Sequence, residues 1–125
     1  MPDLSLAQRF GDNVAFNETT KILSIDLNNL SSIIVAGTDY GLNVSAMTNA
    51  NKDTYATRIL WSLLLKSQSS QPENNTDETI GLYVTNQGKR SIARNGVAQF
   101  GFQLVATAYK NDTVGVQLDP DEIGA

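Results

Sequence analysis

An α+β fold, an antiparallel β-sheet of hairpins with one helix packed on it, is predicted by three features of the chain. Apolar residues alternate with polar ones along several short stretches bounded by turn residues, the period of half-buried strands. One central stretch instead repeats its apolar residues at helical spacing. The length, 125 residues, suits a single domain with one hydrophobic core. An all-β sandwich or barrel is the alternative, because the central stretch also admits a strand.

Residues 1–12 are expected to form an N-terminal tail. Asn13 to Leu27 reads as a hairpin: Val14 and Phe16 alternate with polar neighbours, Glu18-Thr19-Thr20-Lys21 supplies the turn, and Leu23, Ile25 and Leu27 alternate with Ser24 and Asp26. One face of it should pack inward. Ile33-Ile34-Val35 is a β-branched run expected to be buried, closed by a flexible turn over Gly37-Thr38-Asp39-Tyr40-Gly41.

A polar loop from Ser45 leads to a helix expected over about 54–67, capped by Thr54 or Asp53. Its apolar face is Ala56, Ile59, Leu60, Leu63 and Leu64, with Arg58, Ser62 and Lys66 as a separate polar stripe. As a strand, the same segment would align Tyr55, Ile59, Trp61, Leu63 and Leu65. Trp61 is expected in the core, with an exposed contact as the alternative. Residues 67–78 hold almost no apolar side chain and are expected to be a mobile loop, since they bury too little to offset their ordering entropy.

The C-terminal half continues with a strand over Thr79 to Thr85, a turn at Asn86-Gln87-Gly88 and a strand from Lys89 to Arg94. Asn95-Gly96 is a strong hairpin signal. From Val97 to Tyr109, Ala98, Phe100, Phe102, Leu104, Ala106 and Ala108 share one side of a long strand. Lys110-Asn111-Asp112 turns the chain into a last strand, Thr113 to Leu118, before a C-terminal tail over 119–125. The sum is a sheet of about five to seven strands.

The chain has no histidine and no cysteine, which excludes imidazole, thiol, disulfide and His/Cys-metal chemistry. Nine basic residues against thirteen acidic ones argue against a protein that tracks nucleic-acid phosphates. No run approaches the ~20 apolar residues of a membrane span, and the first residues lack the basic start and apolar core of a signal peptide. The expected location is therefore cytoplasmic or within a particle. Lys66 and Ser67 lack the offset of a Ser-Lys nucleophile pair. Among the carboxylates only Asp26 is expected within a strand, which makes it the best candidate for a carboxylate-based hydrolase. Asp119-Pro120-Asp121-Glu122 offers oxygens to a calcium ion but lacks the alternating ligands and glycine of a calcium loop. No cofactor, metal or catalytic residue is expected.

Lys89, Arg90 and Arg94 gather three of the nine cations in one hairpin segment. On a strand, Arg90 and Arg94 share a face, placed to grip phosphate or a carboxylate cluster such as Asp119, Asp121 and Glu122 of a neighbouring subunit. The alternative is a solvated edge strand whose charges block aggregation. With its short length, lack of His and Cys, surface rich in Asn, Ser, Thr and Gln, hairpin pattern and Leu118-Asp119-Pro120-Asp121 ending, the chain resembles small structural proteins of tailed phages or phage-tail-like particles. The resemblance implies a homo-oligomer, or part of a larger particle, built through exposed strand edges or flexible loops. The expected function is a non-enzymatic structural or assembly protein whose partners are itself or other assembly proteins. The alternative is a monomeric ligand- or glycan-binding domain with Tyr40, Trp61 or Tyr83 as a stacking platform.

Overall fold

The computed structural model describes residues 3–111 and 118–124. The expected strand over Thr113 to Leu118 lies almost wholly outside the described residues. Within them the fold is α+β: short helix α1 (Leu6–Phe10), hairpin β1 (Ala15–Asn17) and β2 (Ile22–Ser24), hairpin β3 (Ile34–Val35) and β4 (Thr38–Asp39), main helix α2 (Tyr55–Ser70), and long hairpin β5 (Leu82–Arg94) and β6 (Val97–Ala108). All pairings are antiparallel, and the three hairpins are separate two-stranded sheets rather than one continuous sheet.

The N-terminal segment is not a tail. Ser5 Oγ accepts the Gln8 N–H at 3.1 Å and Gln8 Oε1 accepts the Ser5 N–H at 2.8 Å, a capping box that starts α1. Gly11, at φ +109°, ends it. α1 packs on α2, and its Arg9 ties three elements together. The Arg9 guanidinium donates to Ser67 Oγ at 2.7 Å, to the Leu82 carbonyl at 2.9 Å and to Asp3 at 2.8 Å. Asp3 in turn accepts the Gly81 N–H at 2.8 Å.

α2 confirms the helical reading of its segment but runs to Ser70, so the polar loop begins at Gln71. Its buried face holds Tyr55, Ser62 and Leu65, while Leu60 points outward at 65% exposure. The expected polar stripe is thus turned inward at Ser62. α2 is covered from more than one side, since α1 also packs on it and engages Ser67. Leu30, Ile33 and Leu65 form the core cluster, with Leu27, Val35, Leu42, Leu63 and Leu104 packed against it.

The first two hairpins differ from expectation in burial and in turn. Ala15, Phe16, Asn17, Ile22, Leu23 and Ser24 are all exposed, so neither face of β1 and β2 packs inward. Their turn is the expected Glu18-Thr19-Thr20-Lys21, with Asn17 Oδ1 accepting the Thr19 and Thr20 N–H groups at 3.0 Å. The β3/β4 turn is Ala36-Gly37, both at positive φ (51° and 83°), and Thr38 and Asp39 belong to the returning strand. Asp26 is not in a strand; it caps the following 3-10 turn by accepting the Asn28 N–H at 3.0 Å.

β5 is one strand through the expected turn at Asn86-Gln87-Gly88, which is a bulge. The cause is a conflict of register. The Asn95-Gly96 turn sets Arg94 opposite Val97, but at the base Leu82 lies opposite Ala108, one residue out of step. Gln87 takes up the difference between the Asn86/Leu104 and Gly88/Gln103 pairs. Gly88, at φ +85°, supplies the left-handed residue there, and its N–H donates to Asn86 Oδ1 at 2.7 Å.

Candidate interaction surface

The long hairpin divides at this bulge into a base, where β5 is buried or half-buried, and an exposed arm. Tyr83 and Val84 are buried at the base. The Tyr83 hydroxyl lies 2.7 Å from the Pro72 carbonyl and 2.8 Å from that of Glu73, so it is spent on the loop and is not a free platform. Gln71 closes the outer edge of β5 as a strand would: its Oε1 accepts the Val84 N–H at 2.9 Å and its Nε2 donates to the Val84 carbonyl at 2.6 Å. Arg9 does the same for the Leu82 carbonyl.

Beyond Asn86 no other described element pairs with either edge. Every β5 residue from Asn86 to Arg94 is exposed. The pairing puts Ala93, Ala98, Phe100 and Phe102 on one face, continuous with Leu104 at the core, and Ile92, Val97 and Val105 on the other. Phe100 and Phe102 are each 62% exposed, and Ile92, Val97 and Val105 are exposed too. Large apolar side chains therefore meet solvent on both faces of the arm.

The predicted basic residues all lie on this arm. Arg90 and Arg94 share the Ile92 face, as the alternation implied, whereas Lys89 lies on the other face with its Nζ 5.0 Å from the centre of the Phe100 ring. Among the described residues the ion pair is Arg9 with Asp3, so neither Arg90 nor Arg94 has an acidic partner there. Asp119, Asp121 and Glu122 are not brought to them. They sit in the short 3-10 turn after residue 118, where Asp119 accepts the Asp121 N–H at 3.0 Å, at the base end of the hairpin.

A second feature lies where the arm leaves the body. Val35, Tyr40, Trp61, Leu65, Phe102 and Leu104 line a groove of about 420 Å³, with Gln68, Asn86 and Gln103 also in its wall and no charged residue. Trp61 is 37% exposed and is not a core anchor. The sequence places Gln68 in a loop and Asn86 in a turn, whereas the structure has them in α2 and β5. Extending the helix beyond 67 would have aligned Trp61, Leu65 and Gln68 on one face.

Five carboxylates are occupied in holding turns. Hydrogen bonds from the Ile33 and Gly41 N–H groups, helped by the Ser32 hydroxyl, hold the Asp39 carboxyl below its ordinary pKa against a small desolvation. The hydroxyl and N–H of Thr79 do the same for Asp77. At Asp3 burial pushes upward, but bonds from Gly81, Leu4 and Arg9 together outweigh it and lower the pKa. Asp26 and Asp119 each accept a backbone N–H two residues on. No described helix is long and apolar enough to cross a membrane. No protein-family model matches the chain, and neither a curated protein nor a solved structure matches it.

Proposed function

We propose that the chain is a non-enzymatic assembly protein, a homo-oligomer or a component of a larger particle, and that the β5/β6 arm is its assembling element. The observation that carries this reading is the arm's exposure of Phe100 and Phe102 on one face and Ile92 and Val97 on the other. A two-stranded ribbon is marginally stable at best in water, and a contiguous apolar surface on it marks a contact site. Val97 to Tyr109 also carries no charge and no proline, the devices that keep an edge strand from pairing with another chain. Strand addition along β6 is the contact these features favour.

Size exclusion with light scattering tests the reading. The wild type is expected as a defined oligomer at micromolar concentration. The double substitution Phe100→Ser, Phe102→Ser is expected to be monomeric with an unchanged far-UV CD spectrum. A wild type that stays monomeric up to millimolar concentration would overturn it.

A second reading, a monomeric glycan-binding domain, draws on the uncharged groove that unites Tyr40, Trp61 and Phe102 with Gln68 and Asn86. Aromatic faces beside amide donors and acceptors suit a neutral polyhydroxylated ligand. Its test is a saturable change of Trp61 fluorescence on titration with neutral oligosaccharides. No change across the set removes it.

A further inference from the structure

The long hairpin carries opposite charge at its two ends. From Thr79 to Asn111 there are four cations, Lys89, Arg90, Arg94 and Lys110, and no acid, while the other five cations share the rest of the chain with all thirteen acids. Three of the four cations are on the arm. At the base, the Tyr109 N–H donates to the Gly81 carbonyl at 2.8 Å and the Gly124 N–H to the Tyr109 carbonyl at 2.7 Å. These bonds bring the Asp119 to Asp121 turn to the same end as Asp77 and Glu78, with Lys110 as the cation there. Asp3, also at this end, is matched by Arg9. The twelve steps from Leu82 to Arg94 span roughly 35–40 Å, several screening lengths at physiological ionic strength. The two ends cannot neutralise one another within one molecule.

We infer that the cationic arm of one copy docks on the acidic base of a second copy, tip to base. The inference rests on the assembly reading and adds the direction of the contact. Meeting tip to tip would set Arg90 and Arg94 against the same residues of the partner, whereas tip to base sets them against Glu78 and Asp121, carboxylates with no ion-pair partner among the described residues. The apolar faces of the arm supply affinity and the charges select polarity. A reciprocal tip-to-base contact closes as a two-fold pair, and a one-way contact continues into a ring or filament.

Reversing each end separately tests this. Arg90→Glu with Arg94→Glu makes both ends acidic; Glu78→Lys with Asp121→Lys makes the base basic like the tip. All four side chains are exposed, so far-UV CD should match the wild type. Each variant alone is expected to assemble at least tenfold more weakly, and an equimolar mixture is expected to regain wild-type assembly. A base variant that assembles like the wild type, or a mixture that stays dissociated, overturns the tip-to-base contact while leaving assembly itself standing. A monomeric wild type overturns both. The wild type alone gives an independent readout that needs no variant to fold: assembly should weaken at least tenfold from about 50 to about 500 mM salt, and assembly indifferent to salt overturns the inference.

Discussion

Replacing Arg9 with methionine keeps an unbranched apolar stem and removes the guanidinium that joins α1, α2 and β5. Three bonds go with it, to Ser67 Oγ, the Leu82 carbonyl and Asp3. Ser67 is buried and Leu82 half-buried, so each acceptor is left without a partner at about 1.5 kcal/mol, the lower end for bonds to a charged donor. The Asp3 side chain is 37% exposed and rehydrates, so that pair adds less than about 1 kcal/mol. The loss should be about 3–4 kcal/mol, a fall in Tm of roughly 10–15 °C for a domain of this size. Urea unfolding at pH 7 and fixed protein concentration, followed by far-UV CD, measures it. Arg9→Lys should recover less than half, because one ammonium cannot reach three acceptors held in a fork. A loss below about 1 kcal/mol would refute the docking of the N-terminal segment on the helix and the hairpin base.

Two further outcomes concern the turns. Ala36 holds φ +51° in the β3/β4 turn, where an L side chain is strained; Ala36→Gly should raise stability by about 0.5–1 kcal/mol despite the flexibility it adds to the unfolded chain, and an unchanged or lower urea midpoint would contradict this. Asp3, Asp39 and Asp77 all bind protons more weakly folded than unfolded. Their contribution is therefore complete above the unfolded value of about 3.9 and is lost as pH falls through their lower folded values. The urea midpoint should be flat from neutral pH to about pH 5 and fall below about pH 4. Asp39→Asn should lower the plateau and shallow the acid decline, and a midpoint that rises on acidification would be inconsistent with the bonding at these carboxylates.

What could be read from the sequence was whatever neighbouring residues decide among themselves. The Asn95-Gly96 turn, the alternation along β6 and the common face of Arg90 and Arg94 follow from period two and a two-residue loop. The Ala36-Gly37 turn has the same pair of positive φ values but no such signal, because alanine seldom marks a left-handed residue. α1 left a trace in its Ser5 to Gln8 capping box, yet five residues are too few to show periodicity. Arg9 meets partners 58 and 73 positions away, and no local pattern announces such a bond. The same holds for the groove, whose lining joins β3, Tyr40, α2 and the long hairpin. Trp61 is expected in the core with an exposed contact as the alternative, and the structure leaves it 37% exposed, with Leu60 beside it open as well.

The bulge at Gln87 separates two demands that disagree by one residue, that of the tip turn and that of the core. Bulges bend a ribbon and increase its twist, so the angle at which the arm leaves the body is set at Gln87 and Gly88 rather than at any surface the arm presents. Gly88 has open space where a side chain would project, and only its positive φ resists substitution. A change there would swing the arm while leaving Phe100, Phe102, Arg90 and Arg94 untouched. In an array built through the arm, the pitch of the lattice would then be tuned at one glycine, independently of the strength of the contacts that hold it.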